Sequence, residues 1–490
     1  MAQARRVGLL ACVALLGGCG GSSAPKPPHG GAVLRLSLPL VPTTLDPARV
    51  ADLPSLNVAH ELYAGLTRFS GPGVAPDLAE SWEPSENGLV WTFHLRKGLR
   101  WSNEVPITAE DFRRSWLRAL APRTNSAYAR AEMQNIRGAR RYRVTGSGEV
   151  GVEAVDDRTL RVTLQHPVPW LDEQVAWPVF FPVPKSGTAT SGPFRLASRG
   201  KRRLVLERNL NYWNVEAVKP RRIVLTTFPP AGDGILPFSL AAPGIPWIQS
   251  ANAPPAGFGR RLPTLSVGLL WLATRRGPLA DPATRRTLAA VLDRRILAAE
   301  AAERPVRTVV PPAMPGASRL KIPPAGYRVE TGPLELTLAY TPEDVRAANL
   351  PSQIQSQLAR RDIRVTLLPV SFRRLLGLAG PPPKVDLVLL GWSSEFFDEY
   401  NILDLFPCAS AFNVAQWCDR SYDRLMHRAV RALDDDERWA IERTLVQKVQ
   451  DAVPAIPLYS ASEYVQLRNG LHGFRWSPIG FYELLGMTRS

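Results

Sequence analysis

The residues that could perform catalysis are scattered along the chain without the spacing that catalysis requires. None of the six histidines stands at metal-ligand spacing from another, and His94 alternates with apolar neighbours in a predicted strand, which indicates a structural or solvent-facing side chain. The sequence contains no Gly-x-Ser-x-Gly elbow, no His-Glu-x-x-His motif, no phosphate-binding loop and no dinucleotide-binding glycine fingerprint. We therefore predict that the protein is not an enzyme and needs no cofactor.

The acidic runs do not predict a metal site. Asp434–Glu437 lacks the alternating ligands and the central glycine of a calcium loop. The run stands where a helix is predicted to begin, and the helix dipole favours acidic residues in a first turn. Asp172 and Glu173 form a second, isolated acidic pair. We predict that no metal is bound.

Four cysteines are too few for a disulfide-rich scaffold. Cys12 and Cys19 lie near the N-terminus, whereas Cys408 and Cys418 stand ten positions apart in a polar segment. In an oxidising compartment this second pair is expected to form one disulfide that closes a short loop. A metal site is the alternative, although no histidine lies near either cysteine.

The N-terminus has the pattern of an export signal. Arg5 and Arg6 precede an apolar run, Val7–Leu16, that is too short to span a bilayer. The Leu-Gly-Gly-Cys sequence ending at Cys19 is typical of a bacterial lipobox, which predicts cleavage after residue 18 and a lipid on Cys19. A plain secretory signal with a chance cysteine is the alternative. The Gly/Ser/Pro-rich residues 19–31 are predicted to be a flexible tether, so we expect the protein to be exported and anchored at the periplasmic face or the cell surface.

The chain is long and basic. Its 490 residues exceed one ordinary hydrophobic core, and 60 Lys and Arg against 44 Asp and Glu give a formal charge of +16. Loss of Arg5 and Arg6 with the signal lowers this charge to about +14. Such a charge can attract nucleic acid, but the arginines are spread over many elements and the protein is predicted to leave the cytoplasm. We therefore expect no nucleic-acid partner; anionic lipid headgroups or an acidic cell wall suit the charge better.

The hydrophobic pattern predicts a mixed α/β protein. Helices are predicted where apolar residues recur every three or four positions, and strands where they alternate or form a short continuous run. The predicted helices are Leu56–Leu66, a helix with Thr108 as its N-cap, Ala283–Ala302 with Ile296 on the apolar face, Ser421–Leu433 and Glu437–Val449. The predicted strands are Val33–Leu38, Val90–Leu95, two within Val152–Leu164, Leu204–Glu207, Leu334–Ala339, Val365–Val370, Val385–Leu390 (as a buried parallel strand), Ile456–Ser460 and Val465–Leu467. The Pro/Gly-rich stretches Pro229–Gly259 and Val309–Gly332 are predicted to be long surface connections.

Short motifs follow one another in a characteristic order. The strongest are Pro76–Trp82 (PDLAESW) and Trp91–Gly98 (WTFHLRKG). Around them stand Leu45-Asp46-Pro47, Glu61–Leu66, Pro106–Phe112, Thr190–Phe194, Tyr212-Trp213, Pro278–Asp281, Asp293-Arg294, Gly391-Trp392, Tyr422-Asp423 and Pro454–Leu458. In this order and spacing the motifs resemble the extracellular solute-binding proteins, family 5, of peptide and nickel ABC importers. The resemblance covers most of the chain after the tether.

The resemblance implies a two-lobed α/β periplasmic-binding-protein fold of type II, in the large peptide-binding class. It implies a lobe I formed by residues 32–65, 186–265 and 460–490, a subdomain inserted into it at 66–185, and a lobe II at 266–459, with a two-strand hinge between the lobes. A solute is buried as the lobes close, and the closed form is presented to ABC permease subunits. We expect a monomer that captures oligopeptides or dipeptides.

The resemblance also carries a set of ligand-binding residues. In peptide binders of this family the ligand lies between two backbone segments, which match Ala51-Asp52-Leu53 and Gly391-Trp392-Ser393. Tyr128 falls where the family often places an aromatic residue of the cleft. Glu395 matches the acidic position that receives the α-amino group of a peptide. The family usually has Asp there in a Gly-Trp-x-Ala-Asp-Tyr context, so Asp398 is a rival.

Several departures leave the ligand open. The segment after Thr227 and the region before Leu334 each lack a helix that the family usually has, which puts the size of the cleft in question. No arginine matches a carboxylate-binding position; Arg373 and Arg374 are candidates only by type and neighbourhood, with a solvated basic helix end as the alternative. The other hypotheses are a binder of a non-peptide solute, such as a metal chelate or sugar, and an envelope scaffold without a transport role.

Overall fold

The computed structural model describes residues 31–38, 41–227, 247–250, 260–320, 333–342, 344, 348–371, 374–375, 385–467 and 470–490. The chain divides into residues 1–30 and a compact unit, Gly31–Ser490, and all described residues belong to the second unit. The predicted signal peptide, Cys19, Arg373 and most of Pro229–Gly259 therefore lie outside the described residues. Among the described helices, none has both the length and the apolar character needed to cross a membrane.

Helices and strands alternate throughout the described chain. The helices, numbered here from α1 to α11, are Leu53–Leu62, Ala109–Leu120, Ala127–Glu132, Ala139–Thr145, Leu171–Gln174, Pro282–Val291, Arg294–Glu300, Leu350–Ala359, Tyr400–Leu403, Arg420–Ala429 and Asp435–Ala452. The strands, from β1 to β22, are Val33–Leu38, Thr67–Ser70, Gly73–Pro76, Ala79–Pro84, Val90–Leu95, Val152–Ala154, Thr159–Thr163, Phe194–Arg199, Arg203–Arg208, Arg222–Thr227, Trp247–Ser250, Arg260–Leu272, Arg304–Pro305, Leu334–Tyr340, Ile363–Pro369, Leu387–Leu389, Trp392–Ser393, Ala455–Leu467, Leu471–His472, Arg475–Trp476, Tyr482–Glu483 and Thr488–Arg489.

One four-stranded sheet is built from β4, β5, β7 and β6, all antiparallel. In β5 the buried side chains alternate as predicted, which gives the strand one apolar face. Helix α2 lies against β6 and β7 of the same sheet. Helix α2 begins after Thr108, whose backbone N–H is bonded by Asp111 Oδ2 at 3.1 Å. At its buried face the Trp116 indole N–H donates to the Phe180 carbonyl at 2.6 Å, which fixes the position of the segment after α5.

A second four-stranded sheet has the order β1-β10-β9-β8, with β1 parallel to β10 and the remaining pairs antiparallel. Leu34 and Leu36 of β1 are buried, because alternate residues of the strand face the core. Helix α1 lies against β8. This sheet therefore carries the segment that ends at Asp52, the residue before α1.

The largest sheet has the order β11-β18-β12-β16-β14-β15. Its two 13-residue strands, β12 and β18, run antiparallel along most of their length. Near the end of β12 the side chains alternate between two hydrophobic clusters: Leu269 and Trp271 belong to one, Leu270 and Leu272 to the other. Both strands continue across the predicted lobe boundaries at 265/266 and 459/460; the boundaries themselves stay a prediction.

The prediction of one long helix over Ala283–Ala302 is wrong. Helix α6 ends at Val291, and Asp293 caps a new helix, α7, by accepting the N–H of Arg295 at 2.8 Å. An aspartate side chain that bonds nearby backbone N–H groups competes with continued helical bonding, which explains the break. Ile296 is 44% exposed and does not lie on the apolar face.

Other predicted bounds also change. Ile456–Ser460 and Val465–Leu467 belong to one continuous strand, β18, because Arg260–Pro263 of β12 extends the pairing along it. The first part of Val309–Gly332 is not a surface connection, since Val309, Val310 and Met314 are buried; residues 321–332 lie outside the description. Within Pro229–Gly259, residues 247–250 form β11. The predicted run Val385–Leu390 is parallel to β14 but antiparallel to β12.

Two local predictions are confirmed. Cys408 and Cys418 form a disulfide with their Cα atoms 4.4 Å apart. Asp434 caps α11 by accepting the N–H of Glu437 at 2.9 Å, so the acidic run is a first helical turn.

Candidate functional site

The first predicted ligand segment is held by the start of α1. Ala51 is exposed, Asp52 is partly buried and Leu53 begins the helix. Asp52 accepts the backbone N–H of Ser55 at 2.8 Å through Oδ1 and the Ser55 hydroxyl at 2.7 Å through Oδ2. Asp52 is therefore the N-cap of α1, and its carboxylate is occupied by these hydrogen bonds. The backbone of the segment, rather than this carboxylate, is available to bind a ligand.

The second predicted segment is a short strand with an unpaired edge. Trp392 and Ser393 form β17, which pairs with Val267 and Ser266 of β12. A Cβ on Gly391 would lie 2.9 Å from the Val267 carbonyl oxygen, so the close approach of the two strands requires glycine there. In the described part of the chain β17 pairs with β12 alone, which leaves its other edge open to a further extended chain.

Tyr128, on the short helix α3, stacks on Trp177 with ring centroids 5.2 Å apart. Burial raises the pKa of its phenol above the ordinary value, and the charges of Glu395, Glu132 and Asp52 add to the rise in that order. Those three carboxylates come from the segment after β17, from α3 itself and from the start of α1. The charges of three separate parts of the chain therefore act on Tyr128.

Glu395 is joined to this aromatic pair through its backbone. The Trp177 indole N–H donates to the Glu395 carbonyl oxygen at 2.7 Å, and Asn401 Nδ2 donates to Glu395 Oε2 at 3.2 Å. Burial raises the pKa of the Glu395 carboxyl, while the Asn401 hydrogen bond opposes that rise. A positive group that enters beside Glu395 would favour the charged carboxylate and be bound by it.

Three residues of this site were not predicted from the sequence: Glu132, Gln174 and Trp177. Glu132 stands one helical turn after Tyr128, and Gln174 Nε2 donates to its Oε2 at 3.2 Å. Burial and the charge of Glu395 raise the pKa of Glu132 well above its usual range. The i, i+4 spacing from Tyr128 was the available signal for Glu132, whereas Gln174 and Trp177 are placed only by the tertiary fold. We call Tyr128, Glu132, Gln174, Trp177 and Glu395 the Tyr128 cluster.

Asp398 lies in a different environment from Glu395. Its Oδ2 accepts the Nε–H of Arg438 at 2.7 Å, and its Oδ1 accepts the Tyr400 N–H at 2.9 Å. Asp398, Glu399 and Glu442 are all buried, and one carboxylate oxygen from each lies within 4.8 Å of the others. The Arg438 guanidinium supplies positive charge to this group, so Asp398 is already paired with a cation.

Arg374 and two concave regions of the described structure remain to be placed. Arg374 is exposed, and its proposed contact with a ligand carboxylate stays a prediction. One concave region lies between α1 and the hairpin of β20 and β21, and another between α6, α7 and the end of α11. No residue predicted to bind ligand lines either region.

The segment around Trp177 is packed against the residues that follow β17. Trp170 stacks on Phe396 with centroids 4.9 Å apart, and Glu173 accepts the Phe397 N–H at 2.5 Å. Phe69 also faces Phe397, at 6.3 Å between centroids. Residues predicted for the subdomain therefore contact residues predicted for lobe II directly, and the Tyr128 cluster lies at that contact.

The Tyr128 cluster is thus built from segments that are far apart in sequence. The model of bacterial extracellular solute-binding proteins, family 5 (middle), matches residues 73–413. The chain belongs to this family. Family membership confirms the predicted class and confirms that the protein is not an enzyme.

Curated relatives match along most of their length. The chain is 28% identical over 468 residues to the probable deoxycholate-binding periplasmic protein YgiS of Escherichia coli, covering 85% of this chain and 86% of the relative. It is 25% identical over 467 residues to the periplasmic oligopeptide-binding protein OppA of Escherichia coli, covering 85% and 84%.

Among solved structures, the periplasmic murein tripeptide binding protein MppA in its unliganded open form has a TM-score of 0.80 at 23% identity, covering 94% of this chain and 99% of that one. This likeness confirms the predicted two-lobed type II fold.

Proposed function

We propose that the protein is the substrate-binding lipoprotein of an ABC importer, which captures oligopeptides or dipeptides between its lobes and delivers them to a membrane permease. The observation that carries the proposal is the position of Trp177, which stacks on Tyr128 and donates to the Glu395 carbonyl. Side chains from segments that are far apart in sequence are thereby brought together, which is the arrangement expected of a ligand site between lobes.

The open edge of β17 supports a peptide as the ligand. An extended peptide can add its backbone N–H and C=O groups to an unpaired strand edge, and this mode of binding depends little on the peptide's side chains. Ser393 is exposed on this strand, two residues before Glu395. A peptide paired with β17 would thus place its charged N-terminus close to the partly buried carboxylate of Glu395.

Packing at the Tyr128 cluster bears on how ligand enters. Because Trp170 and Phe396 are in ring contact there, entry requires the segment around Trp177 and the residues after β17 to separate. A hinge motion of the lobes would provide that separation, and closure would then bury the bound peptide.

The names of the relatives suggest two ligand chemistries. The OppA relative is named an oligopeptide binder, whereas the YgiS relative is named a probable binder of deoxycholate, which is an anion. An ammonium beside Glu132 and Glu395 would favour their charged forms and be attracted by them, whereas an anionic group would find no opposite charge there. This chain's own residues therefore favour the peptide, through its ammonium end.

The test is to identify what the protein carries. Protein purified from the cell envelope is denatured, and the released small molecules are identified by mass spectrometry; thermal shifts are then measured with a tripeptide library and with deoxycholate in parallel. We expect bound peptides and stabilisation by tripeptides. An extract without peptide, together with no shift from any tripeptide, would refute the proposal, and a shift from deoxycholate alone would favour the non-peptide alternative.

The anchor is tested separately at Cys19. Replacing Cys19 with Ser removes the thiol that would carry the lipid, so the protein should move from the membrane fraction to the soluble envelope or culture fluid. Alanine at Ser22 is a matched control within the tether and should leave the protein in the membrane fraction. A Cys19→Ser protein that stays membrane-bound would contradict lipid anchoring.

A further inference from the structure

The Tyr128 cluster contains a second carboxyl that the family resemblance does not assign. Glu132 is only 5% exposed, although it is a side chain that is rarely buried without a charged partner. In the described structure its carboxylate accepts a hydrogen bond from the neutral amide of Gln174, at 3.2 Å. The charge of Glu395, which is itself an acid, adds to the effect of burial and raises the pKa of Glu132 further.

Gln174 provides independent evidence that a hydrogen-bond donor from a ligand binds at this position. The residue is 5% exposed, and its Oε1 is buried without a hydrogen-bond donor in the described structure. Its Nε2 is committed to Glu132, so Oε1 lies beside the same carboxyl. A buried acceptor left without a donor costs free energy of about 1–3 kcal/mol, and an N–H from a ligand would remove that cost.

We propose that Glu132 and the Oε1 atom of Gln174 form a second cation-binding position beside Glu395, and that the favoured ligands are peptides whose first residue carries a basic side chain. This inference rests on the proposed function. Glu395 would take the α-ammonium group, and Glu132 with Gln174 would take the ammonium of a lysine-like side chain. An ammonium has three N–H donors, enough for a carboxylate oxygen and an amide oxygen together.

The protonation of Glu132 distinguishes the two kinds of peptide. Burial and the nearby charge of Glu395 raise the pKa of the Glu132 carboxyl and so favour its protonated form while no second cation is present. When a second ammonium enters, Glu132 loses its proton to the buffer and pairs as a carboxylate with that ammonium. The titratable groups of the cluster are Tyr128, Glu132 and Glu395, and the charge of Asp52 also acts on Tyr128. Binding of a peptide with a basic first residue should therefore release more protons than binding of a neutral one.

The experiment compares three probe tripeptides on the full mature protein by titration calorimetry: Lys-Ala-Ala, norleucine-Ala-Ala and Ala-Ala-Ala. Norleucine matches the lysine side chain in shape but lacks its charge. At pH 7.5 we expect Lys-Ala-Ala to bind at least about tenfold more tightly than norleucine-Ala-Ala. Repeating the titrations in buffers of different ionisation enthalpy should show the additional proton release, and the preference should shrink at pH 5.5.

The Glu132→Gln variant resembles the protonated carboxyl in shape and cannot ionise. It should reduce the preference for Lys-Ala-Ala over norleucine-Ala-Ala to less than about twofold. The matched control is Glu149→Gln, the same change at an exposed residue, which should preserve the preference. The wild-type comparison alone tests the proposal if the variant does not fold.

The outcomes separate this inference from the proposed function. Equal affinities of the three tripeptides for the wild-type protein would overturn the second cation position and leave peptide binding standing. Binding of none of them, with a response to deoxycholate, would overturn both. A preference for Lys-Ala-Ala that survives Glu132→Gln would also overturn the assignment to Glu132.

Discussion

The indole N–H of Trp177 donates a 2.7 Å hydrogen bond to the main-chain carbonyl of Glu395, a residue 218 positions further along the chain. The same indole stacks on Tyr128. One side chain thus fixes both the backbone of the predicted ammonium-binding acid and the aromatic ring beside it. The positions of Tyr128 and Glu395 are consequently coupled through Trp177, although neither residue donates a hydrogen bond to the other in the described structure.

Replacing Glu395 with Ala should weaken tripeptide binding at least about tenfold, which corresponds to about 1.4 kcal/mol. The physical reason is the loss of the carboxylate that pairs with the peptide ammonium. Calorimetric titration of the wild-type and variant proteins with Ala-Ala-Ala measures the change, and Glu153→Ala, at an exposed position, is the control. Unchanged affinity would contradict this role for Glu395 and would favour Asp398 as the acid that binds the peptide ammonium.

Replacing Arg438 with Met should destabilise the protein by about 3–5 kcal/mol, because the change leaves buried acids without their cation. Arg438 is 9% exposed and is bonded to Asp398, while Glu399 and Glu442 lie beside them. Denaturant unfolding at pH 7.5 measures the loss. The same change at Arg443, an exposed position of the same helix, should alter the unfolding free energy by less than about 0.5 kcal/mol. Equal losses in the two variants would contradict a role for the charge of Arg438.

The protein should become more stable as pH falls from about 8.5 to about 5. Burial raises the pKa values of several carboxyls above those of the unfolded chain: to about 8 for Glu61 and Glu173, about 7 for Glu399, and about 6 for Asp77, Asp172 and Asp404. A raised pKa in the folded state gives stability that is complete below the unfolded value and is lost as pH rises through the folded value. Melting temperatures across this range provide the measurement.

The rise in stability should reverse in more acidic solution. Burial lowers the pKa of His60 to about 3, so the contribution of His60 to stability is complete above the unfolded value near 6.5 and is lost as pH falls toward 3.

Two variants test the effect of the buried carboxyls. Glu173→Gln, which mimics the protonated acid, should flatten the dependence of the melting temperature on pH between pH 7 and 9, while Glu86→Gln at an exposed position should not. A melting temperature that increases steadily from pH 5 to pH 9 would contradict this account.

Replacing both Cys408 and Cys418 with Ser should lower the unfolding free energy by about 2–3 kcal/mol, because the disulfide closes a short loop in the unfolded chain. Within that loop Asn413 Nδ2 donates to the Trp417 carbonyl at 2.6 Å, so the folded loop keeps an internal support without the disulfide. Urea unfolding measures the difference. A reducing agent should destabilise the wild-type protein and leave the double variant unaffected.

Local sequence patterns predicted what depends on local physics. The alternation in Val90–Leu95 and the capping residues Thr108 and Asp111 define β5 and the start of α2 from their own sequence. The apolar period predicted one helix across Asp293, but the side chain of Asp293 caps a new helix and divides the periodic run into two helices. An apolar period alone does not show which aspartate will stop a helix.

The site was predictable only in part. Family motifs supplied Tyr128 and Glu395, because those positions stand in recognisable order along the chain. Gln174 and Trp177 lie in a segment without a period, and their approach to Glu132 and Glu395 depends on how α2 and Phe180 hold that segment. Such convergence is a property of tertiary packing, which a single sequence does not display.

The pairing of β12 with β18 has a mechanical consequence. Their register is interrupted between Pro263 and Val267 and again between Gly268 and Leu269, and β17 pairs with β12 at Ser266 and Val267, inside this irregular stretch. Irregular registers bend a strand pair locally and increase its twist. Bending of the β12–β18 pair would therefore be concentrated at the part of β12 that pairs with β17, the strand proposed to bind the peptide. The strand proposed to hold the ligand, β17, would then turn together with β12 and β18. Binding of a peptide would in this way change the shape of the whole protein.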